Sequence, residues 1–297
     1  MKALLLTVGS QGDVQPFVAL AVRLHAGGHQ AVLAAPALFS GLASAYGVPF
    51  VPFFGTKEDF REVMSLLAAA GYRGWAYDYS GQLELATAGE VGYSITDMAS
   101  DLAELIRQVT SGPAHLIGHC LGGFVARSAA VAEPDLVRSL TLLACGPDMR
   151  DEKHQSMLEG LAKLHANGGT IALWPLVKAL LAKDDTVMRE FWHAKLSEMN
   201  PEWVTGTAES MADEPDRSDE LLAAGIPSLV VFGKRDRRVW SHDSYAGMAS
   251  RLRAEHVVIP KASHSPNMEQ PEILAEALLG FFAAEDALGD AYATVAG

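Results

Sequence analysis

Basic residues are scarce in this 297-residue chain: 23 Lys and Arg stand against 36 Asp and Glu, a formal charge of −13. A nucleic-acid partner needs clustered cations, and here they are dispersed among more numerous carboxylates, which excludes that class. Long apolar runs are missing too. No stretch of about 18 uncharged apolar residues occurs, and the first apolar run, Ala3 to Val8, is too short for a secretory leader. The expectation is a cytoplasmic protein with no membrane span. Cysteine is limited to Cys120 and Cys145, each closing a different apolar strand-like run, so two free thiols are expected rather than a disulfide. No metal-ligand cluster, phosphate-binding loop or flavin signature appears, so no metal and no cofactor are expected. The segment GSQGD at Gly9–Asp13 lacks the G-x-G-x-x-G spacing of a dinucleotide site. What remains is small-molecule chemistry on an ordinary globular composition, 49% hydrophobic and 20% charged.

The chain alternates strand and helix patterns. KALLLTV, QAVLAAP and VPFVPF read as strands separated by helical runs, and such alternation requires a parallel sheet with right-handed crossovers. After Phe54 the pattern continues through a helix at YSITDMASDLAELIRQV and strands at AHLIGHC, VRSLTLLAC, SLVVFGKRD and HVVIPKASH. Between Pro147 and about Asp219 strands stop, and a helical segment rich in large apolar residues takes over, with Trp174, Leu176, Phe191, Trp192, Met199 and Trp203. The fold class is therefore α/β, a mostly parallel sheet with helices on both faces.

One spacing carries chemistry. AHLIGHCLGG places Gly118, Cys120 and Gly122 in a G-x-nucleophile-x-G pattern between a strand and a helix. The glycines leave room for a sharp turn that stands the thiol clear, and a helix N-terminus behind the sulfur favours a thiolate. The Leu121 N–H becomes a candidate oxyanion donor. Asp236 and His264 then follow the next two apolar strands, at the carboxyl edge of the sheet where open α/β proteins place their sites. The order nucleophile, acid, base suits a triad in which His264 takes the thiol proton and Asp236 fixes its tautomer.

These blocks resemble the α/β-hydrolase superfamily over residues 54–283 apart from the helical segment, as a variant with Cys in the nucleophile position. The resemblance implies a hydrolase core at 54–146 and 220–297, a helical lid at 147–219, and the triad Cys120, Asp236 and His264 read from GHCLG, GKRD and ASH. It also implies a second oxyanion donor after the third strand, which here falls at Phe53 because Val51-Pro52 stand where the family has His-Gly. Phe54, Trp174 and Trp192 are the expected substrate-binding residues, suited to an apolar acyl group. In the same resemblance Asp78 shapes the site without reacting, and His119 and His115 are packing residues, His119 pointing away from the thiol.

Residues 1–53 resemble something else, the start of glycosyltransferases with two Rossmann-like domains, through GSQGDVQPFVALA and LAAP. The expectation is that this βαβαβ segment joins the same sheet, with a chimera of two families as one reading of the junction. Three functions stay open. The first is hydrolysis of an ester or thioester of a small-molecule acyl substrate, with acyl transfer on the same triad as its near alternative. The second is a hydrolase-fold scaffold impaired by the missing His-Gly, and the third is a glycosyl-transferring protein. The oligomeric state is open.

Overall fold

In a computed structural model, the structure describes residues 2–6, 30–34, 50–51, 57–75, 93–110, 112–180, 186–198, 200–237 and 239–296. The three expected N-terminal strands are present as β1 (Lys2–Leu6), β2 (Gln30–Ala34) and β3 (Phe50–Val51), paired in parallel in the order β1-β2-β3. A second parallel ladder runs β4-β5-β6-β7 through β4 (Ala114–His119), β5 (Val137–Leu143), β6 (Ser228–Gly233) and β7 (Glu255–Ile259). Gly9–Asp13, Phe53, Phe54 and Asp78 lie outside the described residues.

Burial follows composition. The central strand β6, SLVVFG, is buried at every residue, as an apolar run covered on both faces must be. The terminal strand β7 instead exposes Glu255, His256 and Val258. One face is covered by α2 (Ile95–Val109) and α3 (Leu121–Ala132). Helix α2 buries Ile95, Met98, Ala99, Leu102, Ala103 and Ile106, one stripe at helical spacing, and begins with a capping box in which Ser94 and Asp97 each bond the other's backbone N–H. The other face carries α1 (Lys57–Ala69) and, near the C-terminus, a 26-residue helix at Pro271–Ala296, whose Val63, Leu67, Leu274, Leu278 and Phe282 form a second core with Leu229 and Val231.

Between β5 and β6 the described elements are all helical: α4 (Glu152–Gly168), a 3-10 turn at Thr170–Leu173, α5 (Trp174–Leu180), α6 (Thr186–Glu198), α7 (Pro201–Asp213) and α8 (Ser218–Ala224). This segment keeps a small core of its own around Leu173, Leu196 and Val204. After β6 come α9 (His242–Leu252), then α10 (Pro266–Glu269) and the long terminal helix, α11. Among the described residues no helix is long and apolar enough to cross a membrane.

Candidate active site

Cys120 sits between β4 and α3 with φ 52° and ψ −116°, a backbone conformation that L side chains rarely adopt. Its N–H donates to the Leu143 carbonyl at 3.0 Å, extending the β4–β5 ladder by one rung, and its own carbonyl accepts from the Gly123 N–H at 2.9 Å. The strand therefore runs straight into the helix in one residue. Gly118 makes that possible: a Cβ there would lie 2.3 Å from the Gly122 carbonyl oxygen. Leu121 is the first residue of α3, so its N–H has no carbonyl one turn back in the helix to bond. The thiol is half-buried, whereas Cys145, two residues past β5, is fully buried; neither is in a disulfide.

Asp236 and His264 do not end strands, as the sequence pattern suggests; β6 stops at Gly233 and β7 at Ile259, and both residues stand on the loops beyond. Two hydrogen bonds stitch these loops together, from Lys234 N–H to the Ile259 carbonyl and from Arg235 N–H to the Ala262 carbonyl. The approach is so close that a Cβ on Gly233 would lie 2.0 Å from the Ser263 carbonyl oxygen. Loop crossing, rather than strand ends, brings the acid to the base.

His264 is buried and its Nδ1 lies 2.9 Å from Oδ2 of Asp236, itself 0% exposed. Cys120 is close enough to His264 to act on its charge. Burial disfavours the imidazolium, but the hydrogen bond to Asp236 and the influence of Cys120 and Asp236 outweigh it and push the His264 pKa up to about 10. The His264–Asp236 pair is therefore arranged to hold an imidazolium against a buried carboxylate.

Three further residues hold this pair, and the sequence reading assigned none of them to it. His119 does not serve packing alone: its Nε2–H donates to the His264 carbonyl at 2.8 Å, and the rings are 5.3 Å apart. Burial, with repulsion from His264, lowers its pKa to about 4, so it acts as a neutral donor. Glu269 accepts from the N–H groups on both sides of His264, Ser263 at 3.0 Å and Ser265 at 3.2 Å. Tyr245, buried on α9, donates its hydroxyl to Oδ2 of Asp236 at 2.9 Å. Glu269 lies in the block HSPNMEQPE and was visible there as a helix-terminal acid; Tyr245 left no local signal. His115 lies elsewhere, 2.7 Å from the Ser139 hydroxyl and stacked on Phe282.

The helical segment is tied to the site at both ends. Arg127 on α3, with 0% exposure, donates to the carbonyls of Pro147 at 2.6 Å and Pro215 at 3.1 Å, where the segment leaves and rejoins the core. Lys153 and His154 both reach the Val239 carbonyl, at 2.8 and 3.0 Å, and Trp240 donates to the Asp148 carbonyl at 2.9 Å, joining α4 to the loop that carries Asp236. Trp174 packs inside the segment, edge-on to His193 and beside Lys178, and its described contacts do not include the triad residues. Trp192 lies on α6, its side chain outside the described set. Among the described residues, no group of three or more His, Cys, Asp or Glu is placed to hold a metal.

Comparison with known proteins identifies the family and the fold. The sequence pattern described as "Alpha/beta hydrolase family" matches residues 38–277. The chain is 32% identical over 187 residues to a pimeloyl-[acyl-carrier protein] methyl ester esterase of Aeromonas salmonicida, covering 59% of this chain and 72% of that one. It is 31% identical over 208 residues to a 2-(acetamidomethylene)succinate hydrolase of Mesorhizobium japonicum, covering 65% and 72%. Among solved structures, the fold is shared with a thermophilic esterase from Thermogutta terrifontis, with a TM-score of 0.66 at 24% identity over 79% of this chain and 88% of that one. The family match spans most of the chain and the fold is shared with solved esterases, and the chain belongs to the α/β-hydrolase family of enzymes.

Proposed function

We propose that the protein hydrolyses an ester or thioester of a small, apolar acyl group through a Cys120–His264–Asp236 triad and a thioester acyl-enzyme. The observation that carries this reading is Cys120 on its strained elbow near a His264 imidazole whose Nδ1 is held by buried Asp236. The thiolate attacks the carbonyl carbon, and the developing oxyanion is held by the Leu121 N–H and by an N–H in the Phe53 region. His264 passes its proton to the leaving alkoxide or thiolate as the carbon–oxygen or carbon–sulfur bond breaks. Neutral His264 then takes a proton from water, whose oxygen attacks the thioester; the acid leaves and the sulfur is restored. The segment between β5 and β6 serves as the lid, with Phe54, Trp174 and Trp192 as its candidate apolar contacts.

The thiol itself favours a second reading, acyl transfer, because a thioester is attacked readily by amines and thiols as well as by water. Intact-mass spectrometry after incubation with short and medium p-nitrophenyl esters, beside Cys120→Ala, tests both readings. A Cys120-dependent acyl adduct with nitrophenol release is expected, and added amine or thiol acceptors distinguish transfer from hydrolysis. Folded protein giving neither adduct nor turnover would leave a non-catalytic scaffold.

A further inference from the structure

Oδ2 of Asp236 accepts two hydrogen bonds of equal length, 2.9 Å from His264 Nδ1 and 2.9 Å from the Tyr245 hydroxyl. We propose that Tyr245 is a positioning residue of the site: by sharing this oxygen it draws charge from the carboxylate and keeps the His264 imidazolium acidic enough to release its proton to a leaving group. The inference rests on the triad reading above and adds a residue to it.

The geometry leaves the hydroxyl little else to do. Tyr245 is 0% exposed on α9, its ring stacked on Phe232 at 4.5 Å between centroids and 11° between planes, with Trp240 edge-on at 6.2 Å. Packing alone would be served by phenylalanine, and a buried hydroxyl is tolerated only with a partner. That partner is the acid of the triad. Burial, then the negative charge and hydrogen bond of Asp236, hold the phenol well above its ordinary pKa, so it remains a donor at every working pH.

The consequence follows from competition for one oxygen. A buried carboxylate stabilises the imidazolium it holds and so makes that imidazolium a poor acid. The groups facing His264 are Cys120 on the elbow, Asp236 beyond β6 and neutral His119 on β4. Cys145 lies close enough to act on Tyr245. The tyrosine hydroxyl donates to the same carboxylate oxygen that holds the base, so it moderates the carboxylate's pull.

The test is Tyr245→Phe, which retains the ring, with Phe232→Leu as a packing control that retains the hydroxyl. NMR titration of the His264 imidazole is expected to move up by about half a unit in Y245F, a fraction of what a hydrogen bond to a charged group is worth. Turnover of an alkyl ester, whose leaving group needs a proton, is expected to fall about threefold in kcat with KM unchanged. Turnover of the p-nitrophenyl ester, which needs none, is expected to stay within twofold. F232L is expected to lower Tm and leave the titration in place. An unmoved titration in folded Y245F, an equal move in F232L, or equal losses on both esters would overturn the proposal. The titration needs no substrate, so absence of any acyl adduct would refute the enzymatic reading separately.

Discussion

The ends of β4 and β5 make a natural contrast. Both are apolar strands that pair with each other, and each is followed closely by a cysteine. Cys120 is half-buried on a strained turn with a helix N-terminus and His264 beside it. Cys145 is fully buried, its sulfur 3.6 Å from the Gly146 carbonyl, and burial pushes its pKa up to about 12. The same side chain thus stands on a turn beside a histidine in one position and is buried and kept neutral in the other. What decides is the element that follows: one strand turns directly into a helix facing a base, the other runs into the core.

The largest expected effect separates the two thiols outright. Cys120→Ala is expected to lower ester turnover by about 10³-fold or more, while Cys145→Ala keeps turnover within about threefold, both followed as nitrophenol release. Alkylation sharpens the contrast. At pH 8 a thiol with a pKa of about 12 is ionised to about one part in 10⁴, so iodoacetamide should add one label to the native protein, at Cys120, and two after denaturation, counted by intact mass.

The charge pairing is tested next. His264 is held up near 10 in part by Cys120, so removing the sulfur in Cys120→Ala should lower the imidazole titration, whereas Cys145→Ala should leave it in place, both read by NMR. The sign follows from the shift: a raised histidine pKa means the imidazolium persists through neutral pH and is lost only as pH rises through about 10. A smaller effect is expected at the lid. Arg127→Met keeps the bulk on α3 but frees the carbonyls of Pro147 and Pro215, and should raise KM for the ester several-fold, with a loss of about 2 kcal/mol in stability measured by urea unfolding. Smallest of all, Cys145→Ser should cost about 1 kcal/mol in the same unfolding measurement, because the Gly146 carbonyl stands near enough to accept its hydroxyl.

Much of this was legible along the chain. Unbroken apolar runs such as SLVVF read correctly as strands covered on both faces, and the apolar stripe of Ile95, Met98, Leu102 and Ile106 read as one helix. The elbow was readable because its requirement is local: a small residue two before the nucleophile, and a helix after it. Asp236 and His264 were readable only through their order and their position after strands. The sequence pattern ran those strands to the catalytic residues themselves, whereas the loops do that work, brought together where Gly233 admits the Ser263 carbonyl.

Local pattern by itself determined the element types, the parallel pairing they require and the elbow that presents Cys120, because periodicity and a one-residue strand-to-helix turn are properties of neighbouring residues. Only the tertiary structure decided which groups hold the triad. His119, Glu269 and Tyr245 reach it by side chains that converge across the fold, with Tyr245 on a helix that carries no motif. The same holds for Arg127, whose two carbonyl partners are 20 and 88 residues away in the chain. Hydrogen bonds between distant segments leave no period in a sequence; they exist only once burial has brought their donors and acceptors together and removed the water that would otherwise satisfy them.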